Sequence, residues 1–367
     1  MGNQAFDEPS WPEPHFGFAT GTHDFIKHSH HPMAELARKR VNYWYQQWQV
    51  KPDKELLGRL HSEDETHFLA AVWELCVNAM LMQMGASVER ITQPNSGKIP
   101  DFLVTAGSFS FYVEATMIEN SAGTTEEKHW KRIIHAFEMI DDAEHHITIR
   151  PERMSAAAPS LSALVAQTRS FLSKLSPNAH QGEELWEEGM ISDDNWTINV
   201  LAFPKGNDGK SNRTLAGVSS GRSAQITDDL DLKKKIQRKR KRYKNLDYPL
   251  VLAILENSFV ASNDNWHRMN ALYGAMAMQI SADGTAVDIR LPGGLWDLEN
   301  GETNVSALIL QDRLWLSLQD LTTPTLWLNP NLPSTGPLAE AIPIGRYEVQ
   351  GDEVQFLPGA FMWKEDL

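Results

Sequence analysis

The sequence predicts an α/β protein in which helices flank a mixed β-sheet. Short β-rich segments alternate with segments of helical periodicity along most of the chain, which is the pattern of a layered α/β domain. Apolar residues make up 41% of the chain and charged residues 22%, close to the average of soluble globular proteins. The 367 residues are enough for one large domain or two modest ones.

The predicted helices have apolar residues three and four positions apart. The best marked follows Ser62 and Asp64, whose side-chain oxygens can cap its first turn, and ends at Gly85. The predicted helices cover residues 33–49, 64–85, 125–140, 161–175, 228–243 and 266–280.

The predicted strands are short runs rich in β-branched and aromatic residues between turn residues. They cover residues 87–92, 101–106, 109–118, 147–150, 196–203, 249–255, 304–310 and 325–328. These elements indicate an N-terminal irregular and helical arm over 1–60, a core over 61–260, and a helix with a β-rich C-terminal lobe over 261–367.

Composition excludes several classes of protein. No stretch approaches the roughly 18 uninterrupted apolar residues of a membrane span. The first thirty residues carry acids and prolines where a signal peptide needs a basic start and an apolar run, so we expect a cytoplasmic protein. The single Cys76 can form neither an internal disulfide nor a multi-cysteine zinc site.

The charge of the chain is unevenly distributed. Its net charge of −14 argues against a protein whose whole surface binds nucleic acid, because affinity for phosphates comes from clustered Lys and Arg. Between residues 233 and 244, however, nine of twelve residues are basic and none is acidic. The predicted helix over 228–243, which carries most of these basic residues, is the candidate contact for an anionic partner.

A tight hairpin is predicted around Gly107-Ser108, a favoured two-residue turn. Closing the hairpin there places Ala106 opposite Phe109 and Asp101 opposite Glu114. One face then becomes wholly apolar, while the other carries the two acids with polar and mixed side chains.

The two acids of this hairpin need neutralisation, because like charges directly opposed on neighbouring strands destabilise a sheet. A hard cation such as Mg²⁺ could be shared by Asp101 and Glu114, and could lower the pKa of a bound water. Alternatively, the strand ends fray into solvent, or a lysine or arginine pairs with the acids.

The order of these motifs resembles the PD-(D/E)XK, or restriction-endonuclease-like, superfamily. The matching residues are Glu74 on the helix, Pro100-Asp101 at the start of the hairpin, and Glu114 on the returning strand. These core motifs cover residues 65–118, and a weaker similarity to uncharacterised bacterial members reaches about residue 338. The resemblance implies a restriction-endonuclease-like core with a central mixed sheet flanked by helices.

The resemblance also implies roles for individual residues. Asp101 and Glu114 would hold Mg²⁺ or Mn²⁺, and Glu74 would complete or support the metal site. The superfamily places a lysine two residues after the second acid, where this chain has Thr116, so Thr116 would orient the attacking water. Another element could supply the lysine, and of the candidates Lys98 and Lys239 we favour Lys239.

Lys235, Lys239 and Arg242 share one face of the basic helix and could contact nucleic-acid phosphates together. The alternative for this run is a solvated helix face.

The sequence thus leads to the hypothesis of a Mg²⁺-dependent endonuclease, acting on DNA rather than RNA, with a restriction or defence role. The competing hypothesis is a catalytically inactive member of the superfamily that binds nucleic acid or serves as an assembly scaffold. It is motivated by the missing lysine and the acidic charge. Self-association into a homo-oligomer is left open.

Overall fold

The computed structural model describes residues 4–9, 21–49, 53–91, 99–118, 125–175, 186–205, 214–218, 228–243, 246–256, 265–280, 286–296, 304–314, 316, 321–350 and 353–364. The chain divides into two compact units. Unit 1 comprises Met1–Pro14, Thr22–Asn120 and Ile226–Leu367, and unit 2 comprises His15–Gly21 and Ser121–Gln225.

The helices are α1 (Thr22–His28), α2 (Pro32–Gln47), α3 (Lys54–Leu60), α4 (Glu65–Gln83), α5 (Thr125–Glu138), α6 (Leu161–Leu172), α7 (Asp228–Arg242), α8 (Trp266–Tyr273) and α9 (Thr335–Ala341). The strands are β1 (Ser87–Arg90), β2 (Phe102–Ala106), β3 (Phe109–Met117), β4 (His145–Arg153), β5 (Glu187–Ser192), β6 (Thr197–Pro204), β7 (Leu215–Val218), β8 (Leu250–Leu255), β9 (Met276–Ile280), β10 (Ala286–Arg290), β11 (Val305–Gln311), β12 (Thr325–Leu328), β13 (Arg346–Gln350) and β14 (Glu353–Leu357).

Unit 1 is built on a mixed sheet whose described strands follow the order β1-β2-β3-β8-β11-β12-β13-β14. The pairs β3–β8, β8–β11 and β12–β13 are parallel, and the other pairs are antiparallel. Strand β8 is buried along its whole length, as its unbroken apolar sequence predicts for a strand covered on both faces. The predicted α/β class with a mixed sheet flanked by helices is confirmed.

Helices cover both faces of this sheet. On one face, α2 and α4 pack against alternate side chains of the central strands, among them Val113, Val251 and Ala253. On the other face, α7 and α8 pack against the intervening side chains, among them Leu252 and Ile254. Successive side chains of a strand point to opposite faces, so residues 113 and 114 belong to different layers.

The capping prediction for the helix over 64–85 is confirmed. Helix α4 begins after Asp64, whose Oδ1 accepts hydrogen bonds from the backbone N–H of Thr66 at 2.9 Å and of His67 at 3.2 Å. Helix α4 ends at Gln83, two residues before Gly85, which has a φ of +86°.

Unit 2 has its own sheet, in the order β5-β6-β4-β7, and its own core. Helices α5 and α6 contribute Ile133, Phe137 and Leu164 to this core, which the strands complete with Ile147 and Val200.

The structure differs from the sequence-based expectations in three places. The predicted helix over 266–280 is wrong in its second half, because α8 ends at Tyr273, Gly274 has a φ of +91°, and Met276–Ile280 forms β9. The segment expected as a separate β-rich C-terminal lobe instead contributes β11–β14 to the main sheet, since β8 pairs with both β3 and β11. The expected core over 61–260 is divided between the two units, because unit 2 includes Ser121–Gln225.

Among the helices that the structure describes, none combines the length and apolar character needed to cross a lipid bilayer.

Candidate active site

The predicted hairpin is confirmed with its register. Strands β2 and β3 pair antiparallel from Ala106 opposite Phe109 to Phe102 opposite Val113. Gly107 has a φ of +60°, the left-handed conformation that the tight turn requires and that glycine adopts without a side-chain clash. This register brings Asp101 and Glu114 to the same end of the hairpin.

Asp101 lies immediately before β2 and is half-buried. Its backbone carbonyl accepts a hydrogen bond from Ile91 N–H at 3.0 Å, and its Oδ2 accepts one from Ala115 N–H at 2.9 Å. The second contact fixes the carboxylate beside Glu114. Oδ1 of Asp101 makes no hydrogen bond to any residue that the structure describes.

Glu114 is 3% exposed and points into the layer of α7. Oε1 of Glu114 is paired with the ammonium group of Lys239, and Oε2 accepts a 2.6 Å hydrogen bond from the Tyr243 hydroxyl. Lys239 was a sequence-based candidate, and the structure places it at Glu114. Tyr243 was missed, although its position four residues after Lys239 on one helix could have revealed it.

Helix α7 positions the Lys239 ammonium group and the Tyr243 hydroxyl because both residues lie on its buried face. Leu232 and Ile236 anchor the helix in the apolar layer over β8. Lys239 and Tyr243 continue this face at helical spacing, and both are buried. The apolar stripe therefore sets the rotation of α7 and, with it, the direction of the Lys239 and Tyr243 side chains.

Electrostatic repulsion remains at this end of the hairpin. Burial and the neighbouring carboxylates of Glu114 and Glu74 raise the pKa of Asp101 well above its usual value, despite the Ala115 hydrogen bond and the charge of Lys239. The Lys239 ammonium group acts on the carboxylates of both Asp101 and Glu114, and the charge of Arg90 also acts on Asp101. A proton on Asp101 would relieve the remaining repulsion.

Glu74 is buried on α4, where its carboxylate is paired with two arginines. Its Oε2 accepts a 2.6 Å hydrogen bond from Arg59, and its Oε1 lies 3.6 Å from a guanidinium nitrogen of Arg90. Burial nevertheless raises the pKa of Glu74. Helix α4 packs on the sheet face opposite α7, so Glu74 and Glu114 approach the end of the hairpin from different layers.

Asp101, Glu114 and Glu74 interact through their charges. Within the described ranges, no three His, Cys, Asp or Glu side chains are grouped so that they could hold a metal ion. The carboxylate of Glu74 is instead paired with Arg59 and lies near Arg90. Glu74 is electrostatically linked to Asp101, but its expected role as a third metal ligand is not supported by this geometry.

A hard cation with few protein ligands would need Oδ1 of Asp101 and an oxygen of Glu114 that Lys239 or Tyr243 holds in this structure. Mg²⁺ is commonly held by one or two carboxylates and otherwise by waters and substrate phosphates. Asp101 offers Oδ1, and Glu114 would offer an oxygen once Lys239 moves away from it. Bound there, such a cation would stabilise negative charge on a phosphoryl oxygen and lower the pKa of a bound water.

Thr116 lies two residues after Glu114 on β3 and is 8% exposed. Two-residue spacing places its hydroxyl on the Glu114 face, as expected. Lys98, the other candidate for the missing lysine, lies outside the described residues.

The structure places Lys235, Lys239 and Arg242, the predicted phosphate-binding residues, in three different surroundings. Lys239 is buried against Glu114, Lys235 is half-buried, and Arg242 is exposed. These three residues therefore do not form one solvated basic face. The spacing was correct, but the apolar contacts of Leu232 and Ile236 turn this side of the helix toward the sheet.

A second buried polar cluster lies where β8 and β11 end. Glu256 accepts a 2.8 Å hydrogen bond from Nε of Arg268, and the same guanidinium also pairs with Asp312 and donates to Asn265 at 2.7 Å. Burial would raise the pKa of Glu256, but Arg268 and His267 hold it below its usual value. Arg268 is thus engaged by Glu256, Asp312 and Asn265.

Comparisons with known proteins gave no match to this chain among family models, curated proteins or solved structures.

Proposed function

We propose that unit 1 is a metal-dependent nuclease with a restriction-endonuclease-like core, which hydrolyses phosphodiester bonds in DNA rather than RNA. The proposal rests on two observations: Asp101 lies beside Glu114, and Lys239 forms an ion pair with the Glu114 carboxylate. In the superfamily that the sequence resembles, paired acids hold the metal and a lysine positions the attacking water; a bound metal would stabilise charge on a phosphoryl oxygen. A cytoplasmic location and a defence role remain parts of this proposal.

Each residue has a distinct role in the proposed reaction. Asp101 and Glu114 would hold Mg²⁺ or Mn²⁺ through their oxygens. Lys239, released from Glu114, would place its ammonium against the phosphate that is attacked. Tyr243 would keep Glu114 Oε2 in place through its hydroxyl, and the Thr116 hydroxyl would orient the water.

The sharpest test is DNA cleavage by Asp101→Asn. Asparagine keeps an oxygen that can accept the Ala115 hydrogen bond but removes the negative charge. We expect wild-type protein to cut DNA only with Mg²⁺ or Mn²⁺. Asp101→Asn should cut about 100-fold more slowly or worse, since metal stabilisation of transition-state charge is worth several kcal/mol.

The matched control is Glu89→Gln/Asp247→Asn, which neutralises two exposed acids of unit 1. This variant should cut like the wild type. Undiminished cleavage by Asp101→Asn, or cleavage by the wild type in EDTA, would show that the site is misassigned.

The alternative function is a nuclease-fold protein without activity that binds nucleic acid or organises an assembly. It is favoured by Glu114, whose two oxygens are both occupied by Lys239 and Tyr243, and by Thr116 at the lysine position. Binding of nucleic acid without cleavage at any divalent-metal concentration would support this alternative. Light scattering would show whether the chain self-associates.

A further inference from the structure

Helix α7 carries an excess of positive charge in an acidic protein. It has eight basic and three acidic residues, a net charge of +5, whereas the whole chain has −14. The acids are Asp228, Asp229 and Asp231, near the start of the helix. Its later turns therefore form a concentrated basic segment.

The exposed face of α7 is distinct from the face that reaches Glu114. Lys234, Arg238 and Lys241 are exposed and follow i, i+4, i+7 spacing, and exposed Arg242 lies beside them. We call these four residues the outer basic face. Of the four, only Lys234 forms an ion pair with a described residue, Asp231 at 3.3 Å, and the Arg242 guanidinium lies 5.4 Å from the Tyr243 ring centroid.

The dimensions of this face suit a phosphate backbone. Lys234 and Lys241 are seven residues apart, which is about 10 Å along a helix. One strand of DNA carries a phosphate about every 3.4 Å of helix axis, so the face spans about three nucleotides. Exposed, hydrated lysines and arginines can bind such a polymer by releasing its condensed counterions.

The outer basic face lies on the same turns of α7 as the residues that contact Glu114, on the other side of the helix. Arg238 precedes Lys239, and Arg242 precedes Tyr243, so each pair places one residue outward and one at Glu114. A helix with its side chains is about 10–12 Å across, which limits the separation between a bound backbone and the acids. This continuity distinguishes the face from basic residues elsewhere on the surface.

We propose that the outer basic face binds the sugar-phosphate backbone of nucleic acid without reading base sequence. The inference rests on the proposed function for the identity of the polyanion. Arginines and lysines in the last turn of α7 also stabilise the helix dipole, which would affect stability but not ligand affinity. The experiment must therefore measure binding directly.

The chain offers a matched control. Helix α5 carries exposed Lys128, Lys131 and Arg132, which have the same i, i+3, i+4 spacing as Arg238, Lys241 and Arg242. Substituting either triplet with glutamine removes the same charge from one helix. Helix α5 balances its basic residues with three glutamates, unlike the later turns of α7.

Fluorescence anisotropy with labelled DNA in EDTA separates binding from cleavage. We expect Arg238→Gln/Lys241→Gln/Arg242→Gln to bind at least about 10-fold more weakly. The slope of log affinity against log salt should fall by about 2–3, because each lost phosphate contact removes about 0.9. Lys128→Gln/Lys131→Gln/Arg132→Gln should bind like the wild type, and both variants should keep their far-UV circular dichroism.

Equal binding by the α7 variant and the wild type would overturn the inference, as would an equal loss in the α5 variant. Absence of nucleic-acid binding by the wild type, with binding to phosphatidylserine vesicles instead, would also overturn it. Binding that depends on α7 without any metal-dependent cleavage would leave this inference standing and refute the nuclease proposal. The two proposals can therefore fail separately.

Discussion

The Tyr243 hydroxyl donates a 2.6 Å hydrogen bond to Oε2 of Glu114, the buried acid at the centre of the candidate active site. Burial and the Glu114 charge raise the pKa of Tyr243, so the hydroxyl stays protonated and acts as a donor. Together with Lys239, it fixes both oxygens of one carboxylate. Removing either donor should therefore lower the free energy of unfolding by a measurable amount.

Tyr243→Phe is expected to lower the free energy of unfolding by about 1.5–3 kcal/mol, the range for hydrogen bonds to charged groups. The matched control is Tyr273→Phe, since Tyr273 is also buried but donates to the neutral carbonyl of Leu328 at 3.1 Å. That variant should lose only about 0.5–1.5 kcal/mol. Urea unfolding measures both, and a Tyr243→Phe loss no larger than the control would contradict the assigned role.

Lys239→Met should destabilise the metal-free protein by about 3–5 kcal/mol, because it leaves a buried carboxylate without its cation. Mn²⁺ should restore much of the lost thermal stability, since a divalent ion can replace the ammonium charge between Asp101 and Glu114. At 100 times its Kd, a ligand stabilises the native state by about 2.7 kcal/mol.

The control for this rescue is Lys239→Met/Asp101→Asn, which lacks both the ammonium group and one of the two carboxylates. Mn²⁺ should not restore the stability of this double variant, because only one of the two acids remains to bind it. Equal rescue of both variants in thermal unfolding, or rescue of neither, would argue against a metal site at Asp101 and Glu114.

Asp101→Asn is expected to stabilise the metal-free protein at neutral pH. Because the pKa of Asp101 is raised on folding, the native state holds its proton to higher pH, and wild-type stability falls as pH rises from about 3.9 through the native pKa. Asparagine does not titrate, so this decline should shrink in the variant. A Tm about 2–4 °C higher at neutral pH, the effect of about 1 kcal/mol, is expected in differential scanning calorimetry.

The opposite result, a lower Tm for Asp101→Asn at neutral pH without metal, would mean that the carboxylate is stabilising in the native state. The repulsion inferred between Asp101 and Glu114 would then be incorrect.

Thr116→Val tests the hydroxyl that replaces the superfamily lysine. Valine has a similar shape, so the variant should fold normally, while DNA cleavage should slow by about 10-fold through loss of one hydrogen bond to water. Thr105→Val, on the same face of the hairpin but near its turn, is the control and should keep full activity. Equal cleavage rates for Thr116→Val and wild type would remove Thr116 from the mechanism.

Local rules predicted much of the framework. The turn at Gly107 fixed the hairpin register because a single slip would exchange its apolar and polar faces. Asp64 and Gly85 marked the ends of the second helix through capping chemistry. These features depend on residues close together in the sequence, which is why local patterns were sufficient to predict them.

Contacts between residues that are distant in the sequence could not be predicted from local patterns. The pairing of Glu74 with Arg90 depends on β1 lying beside α4 on one face of the sheet, which no local pattern specifies. Likewise, the contact of Lys239 with Glu114 joins residues 125 positions apart.

The prediction of a helix over 266–280 failed for another reason. The helical periodicity of the sequence continues past Gly274, where the backbone leaves the helix and enters a strand.

Calorimetric titration of the purified protein with Mn²⁺ is the most direct measurement of whether Asp101 and Glu114 bind a divalent cation. We expect saturable binding of one ion at millimolar metal in wild type and in Glu89→Gln, and no binding in Asp101→Asn. Absence of binding in the wild type, or unchanged binding in Asp101→Asn, would contradict the metal site on which the proposed nuclease activity depends.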